Sequence, residues 1–243
     1  MAVKDEFNEL YRREHTRHFT PERTALEVDT LVAALELESS ERVLDLGCGW
    51  GRHLTELQRR GFIELVGVDV QGDFLEPLEG VIMLSGDAAA LEFVNEFGAV
   101  YCAFNALFST PDAASRVFAS VAQALKPGGR FLFDTTNRER LAEAESSSRS
   151  WRGGGDLPWL LEETRFDPAT GKQEIFQRRI FTNGHDKTSC TEQTLTRYHY
   201  TLAELTRLLQ VAGLTVTDVY GDWQLIPYAA DTPRTLLTAR KEA

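Results

Sequence analysis

Residues 43–51 read Val43-Leu44-Asp45-Leu46-Gly47-Cys48-Gly49-Trp50-Gly51. A short, branched apolar run stops at a glycine cluster, and a helical stretch follows from residue 51 to residue 60. This is a strand, a tight turn and a helix, the place where an open α/β sheet binds its ligand. Gly47 permits the turn, and Gly49 lets the backbone approach a ligand with no side chain between them. The spacing is Gly-x-Gly-x-Gly. A dinucleotide loop reads Gly-x-Gly-x-x-Gly and wants glycine at position 52, where this chain has Arg52. Asp45 lies two residues before the first glycine. A carboxylate there suits an ammonium group and offers a pyrophosphate nothing. Taken alone, the loop also reads as an ordinary glycine-rich turn.

Outward from the loop the alternation repeats. Strands are expected at 63–68, ending at Asp69, at 81–84, ending at Ser85-Gly86-Asp87, at 99–104 and at 130–134. A helix is expected over 113–125, stopped by Lys126-Pro127-Gly128-Gly129. Upstream, Thr20-Pro21-Glu22 has the form of an N-cap with proline at the first helical position, and Leu26, Leu31, Leu35 and Leu37 follow at helical spacing. Strands twenty to thirty residues apart with helical stretches between them indicate βαβ units and a mainly parallel sheet. After about residue 140 the pattern changes. Ser146-Ser147-Ser148 and Gly153-Gly154-Gly155 read as an exposed connection, and three extended segments follow near 159–166, 172–181 and 187–199. Asp167-Pro168-Ala169-Thr170-Gly171 and Asn183-Gly184 are turn signals between them. On the second segment Ile175, Gln177, Arg179 and Phe181 face one way, and Phe176, Arg178 and Ile180 the other. This is an antiparallel meander with mixed faces. A helix over 201–212 ends at Gly213, and strands at 216–220 and 235–239 close the chain.

Composition narrows the function. The 243 residues are 42% hydrophobic and 26% charged, with 26 Lys+Arg against 37 Asp+Glu and a net charge of −11. That balance gives no long-range attraction to nucleic acid or an anionic membrane, so a nucleic-acid partner is disfavoured. No run of about 18 apolar residues suggests a membrane span. The N-terminal stretch is charged throughout and lacks an apolar signal core. Cys48, Cys102 and Cys190 form no ligand-spaced pair, so no metal is expected and a reducing, cytoplasmic location is.

Two acidic strand ends line up with the loop. Asp69 lies 22 residues after Gly47, where a carboxylate accepts both hydroxyls of a ribose. A solvated strand-end aspartate is the alternative. Asp87 can accept from an adenine amino group or cap the next helix, and both readings stand. Phe104-Asn105-Ala106-Leu107-Phe108 follows the fourth strand and can wall a space between cofactor and substrate, although Phe108 suits a plain core position equally. His199, between Tyr198 and Tyr200, is a candidate base where the meander rejoins the main sheet, with a hydrogen-bonded structural histidine as the alternative. His53 falls on the first turn after the loop, and His185 in a hairpin turn. His15 and His18, and the cations Arg12, Arg13 and Arg17, belong to the first helix. Arg13 and Arg17 can grip a carboxylate or form surface pairs with Glu9 and Glu14. Trp151, Trp159 and Trp223 can shape an acceptor pocket or simply pack.

Together, VLDLGCGWGRHL, VGVD ending at Asp69, SGDAAAL around Asp87, LKPGGRFLFD ending at Asp134 and the later YHYTLAELTRLLQVAGLTV resemble the class I S-adenosylmethionine-dependent methyltransferases. The resemblance spans nearly all of 40–140 and 198–240. It implies a seven-stranded, Rossmann-like, mostly parallel sheet with an antiparallel last strand, plus a small antiparallel β insert. The implied division is a helical cap at 1–40, a cofactor-binding domain at 41–140 and 199–243, and an insert at 141–198 that lids the substrate or makes a dimer contact. It further implies that Asp45, Gly47, Cys48 and Gly49 surround the methionine portion of S-adenosylmethionine and that Asp69 holds the ribose. Val70 would then lie against the adenine, Asp87 and Ala88 would contact the adenine and its amino group, and the backbone near Phe104 and Asn105 would close the methionine side. Tyr11 matches the aromatic residue placed over the cofactor. The implied reaction is methyl transfer to O or N of a small-molecule acceptor, with His199, Tyr200 and Tyr11 as candidates for contact with it. A homodimer through the insert is one arrangement this allows. Three alternatives stand beside this: a protein methyltransferase, a NAD-dependent oxidoreductase, and a non-catalytic adenosylmethionine-binding protein.

Overall fold

The computed structural model describes residues 18–104, 108, 110–143, 147–154, 157–183 and 187–242. Helix α1 (Pro21–Ala34) begins as its sequence dictates: Thr20 is the N-cap and accepts from the Arg23 amide, and proline opens the helix. The chain then runs through β1 (Arg42–Leu46), α2 (Arg52–Arg59), β2 (Glu64–Asp69), β3 (Val81–Ser85), β4 (Phe97–Cys102), α3 (Ala113–Ala124) and β5 (Leu125–Thr136). Next come α4 (Arg138–Glu143), β6 (Ser147–Gly154), β7 (Leu157–Asp167), β8 (Lys172–Asn183), β9 (Lys187–Tyr198), α5 (Leu202–Val211), β10 (Leu214–Tyr220) and β11 (Arg234–Lys241).

Seven strands form one sheet in the order β10-β11-β5-β4-β1-β2-β3. β1 pairs in parallel with β2 and β4, β2 with β3, and β4 with β5, while β11 is antiparallel to both of its neighbours. The strand order reverses between β1 and β4, so the crevice above their carboxyl ends is the ligand position of this architecture. Alternate side chains of β1 serve two different cores. Val43 packs with Val28 and Leu31 of α1, with Leu35 at its C-cap, and with Leu54 and Leu57 of α2. Leu44 and Leu46 pack with Phe118 of α3 and Leu205 and Leu209 of α5. Both faces are thus covered, which is why these strands read as continuous apolar runs. Only short 3-10 turns, Gly72–Phe74 and Ala88–Ala90, stand after β2 and β3.

The insert is a separate antiparallel sheet, β6-β7-β8-β9. It has four strands, one more than the sequence suggests. β6 occupies a stretch that reads as a connection because its residues are small or polar, yet it completes the ladder on the free edge of β7. Gly153 makes this close approach feasible: its φ is 132°, and a Cβ there would meet the Pro158 carbonyl oxygen at 2.2 Å. Arg138, at the start of α4, moors the insert. It donates to the His199 carbonyl at 3.2 Å and the Pro168 carbonyl at 3.0 Å, and pairs with Glu204 at 2.8 Å. Glu204 in turn completes the capping box of α5 with Thr201.

Arg138→Met should therefore leave the buried His199 carbonyl and the half-buried Pro168 carbonyl without this donor and lower unfolding free energy by about 1–2 kcal/mol. Urea denaturation measures this. Hydrogen exchange should show the loosening first in 167–172 and near 199.

Candidate functional site

The loop after β1 takes its shape from three glycines. Gly47, Gly49 and Gly51 take φ values of 74°, 54° and 80°, which glycine adopts without steric cost. The Gly47 amide donates to the Val68 carbonyl at 2.8 Å and the Gly51 amide to the Cys48 carbonyl at 2.9 Å. Gly49 donates to Asp69 Oδ2 at 2.9 Å, and the Gln71 amide to Asp69 Oδ1 at 2.8 Å. One carboxylate at the end of β2 thus fixes the loop after β1. Each of its oxygens keeps a further acceptor site for a ligand hydroxyl. A Cβ on Gly49 would meet nothing within 4 Å, so the loop faces open space there.

Asp45 lies beneath the loop and is buried. Burial pushes its carboxyl up to about 7, the Tyr101 hydroxyl and the Arg52 guanidinium draw it back, and Asp69 adds to the rise. Such a carboxyl gains most from a cation placed against it. Burial also pushes the Cys48 thiol up, so it stays protonated. Val70 is 73% exposed, an apolar side chain beside Asp69 with a free face. Asp87 accepts from the Ala89 amide at 2.8 Å and caps the turn Ala88–Ala90, with Arg116 3.8 Å from its other oxygen. The capping role is thus realised, and Oδ2 faces outward beside that arginine.

A second layer ties α1 to α2. Glu27 is buried between Arg23 at 2.8 Å, Arg52, and His53 Nε2 at 3.1 Å. Burial opposes its charge, but His53 and Arg52 outweigh that and hold its carboxyl below the usual range. Burial depresses His53, with Glu27 opposing. Arg52 also receives Thr24 Oγ1 as an acceptor at 3.0 Å, while its Nη2 is buried with no acceptor among the described residues. The guanidinium lies 4.2 Å from the Phe19 ring centre and 5.0 Å from that of Phe104.

The far wall comes from three separate segments. Phe104, just past β4, has a φ of 64°, an unusual value for a bulky residue. Its ring stacks on Trp223, 5.2 Å between centres and 10° from parallel, and meets Phe19 edge-on. Asp134, near the end of β5, accepts from the Phe104 amide, from Trp223 Nε1 at 3.1 Å and from the Arg234 guanidinium. Sequence reasoning passed over Glu27 and Asp134 as functional residues. Their signal was present: Glu27 lies among Leu26, Val28 and Leu31, and Asp134 directly follows Phe131-Leu132-Phe133, so each acid is bound for burial.

His199 is buried, hydrogen-bonded through Nε2 to Gln173 Oε1 at 2.9 Å, and packed edge-on against Phe166. Burial, helped by Arg197, Arg234 and Arg138, lowers it to about 4, so it is neutral near pH 7. Its Nδ1 is buried with no partner among the described residues. Tyr200 rests on Phe108 and donates to the Pro111 carbonyl at 3.1 Å. Phe108 belongs to the core. Tyr11, Asn105, His15, His185, Arg12, Arg13 and Arg17 lie outside the described residues, and His18 is exposed. Among the described residues no His/Cys/Asp/Glu group is placed to hold a metal.

A family model described as "Methyltransferase domain" matches residues 43–129. In sequence the chain is similar to the cypemycin N-terminal methyltransferase of Streptomyces sp, 28% identical over 215 residues, covering 82% of this chain and 83% of that one. It is also similar to the ubiquinone biosynthesis O-methyltransferase of Aromatoleum aromaticum, 34% identical over 151 residues, which cover 56% of this chain and 63% of that one. In fold it matches an S-adenosylmethionine-dependent methyltransferase from Clostridium acetobutylicum with a TM-score of 0.79, at 16% identity over 99% of this chain and 100% of that one.

The state of Asp45 has a measurable consequence. A ligand that presents an ammonium group to it needs the ionised form, which prevails above a pKa of about 7 and is lost below it. The affinity for such a ligand, measured by calorimetry, should fall about tenfold from pH 8 to pH 6. Asp45→Asn should bind more weakly and show a flat profile over the same range.

Proposed function

The chain belongs to the class I S-adenosylmethionine-dependent methyltransferases, and from that premise we propose that it moves a methyl group from S-adenosylmethionine to O or N of a small-molecule acceptor. The observation that carries this is the Gly49–Asp69 hydrogen bond at the β1–β2 strand ends, with Asp45 buried beneath it. The residues fit this cofactor. Asp45 meets the ammonium of its methionine portion, and the glycine loop passes alongside with no side chain in the way. Asp69 takes the ribose, Val70 and Ala88 flank the adenine, and Asp87 accepts from its amino group. Arg52 Nη2, a buried donor with no acceptor among the described residues, suits a carboxylate.

The bound sulfonium supplies a methyl group already activated by positive charge. What remains for the protein is alignment and exclusion of water. Phe19, Phe104 and Trp223 form an apolar wall at the mouth of the crevice. The likeness to the ubiquinone biosynthesis enzyme supports an O acceptor, and that to the cypemycin enzyme supports an N acceptor. A peptide amine is the second reading, favoured by the cypemycin likeness over most of the chain. The net charge of −11 weighs against nucleic acid. A cytoplasmic location suits the three free cysteines. No described helix is long and apolar enough to cross a membrane.

Calorimetry should show S-adenosylhomocysteine binding in preference to NAD, and Asp69→Ala should weaken it by about 1.5–3 kcal/mol in a folded protein. Labelled methyl donor offered with phenols, aminosugars and short peptides would then sort the acceptors. NAD binding without adenosylhomocysteine binding would overturn the proposal.

The proposal extends to the insert. One of its faces, with Leu160, Phe166, Ile175, Gln177 and Arg179, is buried and would roof the acceptor. The opposite face carries a groove of about 570 Å³ containing Trp151, Trp159, Leu161, Phe176 and Ile180, rimmed by Arg149, Arg178 and Glu163. Apolar centre and rim charges of both signs suit an identical surface on a second copy. Trp151→Glu should shift sedimentation from dimer to monomer and leave adenosylhomocysteine binding intact. A wild-type monomer at tens of micromolar would remove the dimer.

A further inference from the structure

We infer that Asp134 is a positioning residue for the cofactor crevice, acting through the two walls it joins. The inference rests on the crevice being the adenosylmethionine site. Asp134 is 1% exposed, and both of its oxygens are engaged by donors of the protein itself. Its Oδ1 accepts from the Phe104 amide, and its Oδ2 from Trp223 Nε1 at 3.1 Å and Arg234 Nε at 2.8 Å. These donors come from the segment after β4, the loop between β10 and β11, and the first residue of β11.

All three segments lie at the carboxyl edge of the sheet. β4 and β5 are parallel, and β10 runs with them because β11 is antiparallel to both β10 and β5. Nothing in the local sequence holds Phe104 at a φ of 64° or brings Trp223 parallel to its ring. One buried carboxylate does both, since it draws the Phe104 amide and the indole N–H toward the same point. Thr30 Oγ1 of α1 donates to the Trp223 carbonyl, so the same loop is pinned from the cap side as well. Replacing the charge leaves the sheet intact and frees the wall. A displacement of even about 1 Å at such a wall has large effects on alignment.

The test compares wild type, Asp134→Asn and Trp223→Phe. The second variant keeps an aromatic ring against Phe104 while removing the indole donor, which guards against a poorly folding Asp134→Asn. Calorimetry with S-adenosylhomocysteine, at a temperature where every variant is folded, should show binding weakened about tenfold in Asp134→Asn and about threefold in Trp223→Phe. Hydrogen exchange should speed up in both variants over 221–226, and in Asp134→Asn also at residue 104. A merely structural Asp134 would lower the melting temperature and leave the affinity of the folded protein unchanged, and that result overturns the inference. Wild type that binds no adenosylhomocysteine would instead remove the cofactor reading, and this inference with it.

Discussion

The hydrogen bond from the Gly49 amide to the Asp69 carboxylate is the constraint on which the site depends. It joins the glycine-rich loop after β1 to the end of a neighbouring strand. It forms only if β1 and β2 lie in the register that sets Leu46 beside Val68, and the Gly47 amide bond to the Val68 carbonyl holds that register from the other direction. A shift of one residue would turn Asp69 to the opposite face. The crevice therefore inherits its geometry from the parallel ladder, and the ladder is stabilised by burial on both faces. Val43 and Leu44, adjacent in sequence, anchor the α1–α2 core and the α3–α5 core respectively.

Beneath this frame two of the buried carboxylates, Glu27 and Asp45, are in different electrostatic states. Glu27 is surrounded by Arg23, Arg52 and His53 and stays charged. Asp45 lacks so full a set of partners and is held near neutrality's edge, at about 7. The contrast has a physical basis. A buried charge persists when several donors replace its lost hydration, and otherwise the proton returns. Glu27 thereby fastens α1 over the glycine loop, and Asp45 is left responsive to an incoming cation.

The insert shows the opposite economy. Its four strands cannot enclose a core, so each face must find cover elsewhere. One face is covered and combines apolar Leu160 and Ile175 with polar Gln177 and Arg179. Gln177 accepts from Gln193 at 2.6 Å and donates to Glu162 at 2.8 Å, so its amide is satisfied by the two neighbouring strands. The other face leaves Trp151 71% exposed. The alternation of Phe176, Arg178 and Ile180 against Ile175, Gln177 and Arg179 already separates these faces in the sequence. What the faces meet is not encoded in that alternation.

The sequence by itself determined the parallel architecture, the glycine loop, the acidic strand ends and the start of α1, because each follows from local stereochemistry: strand period, glycine φ, and a capping side chain next to proline. It determined the hairpin faces of the insert for the same reason. Tertiary structure alone decided that Ser147–Gly154 is a strand, since an available edge overrode a composition poor in strand formers. It brought His199 against Gln173 and Phe166, contacts that the flanking tyrosines do not foretell. It also decided that Glu27, 25 residues from Arg52, and Asp134, 89 residues from Trp223, would each become a junction. No local signal encodes such meetings. They arise when the sheet closes and a buried carboxylate takes the nearest donors that can replace water.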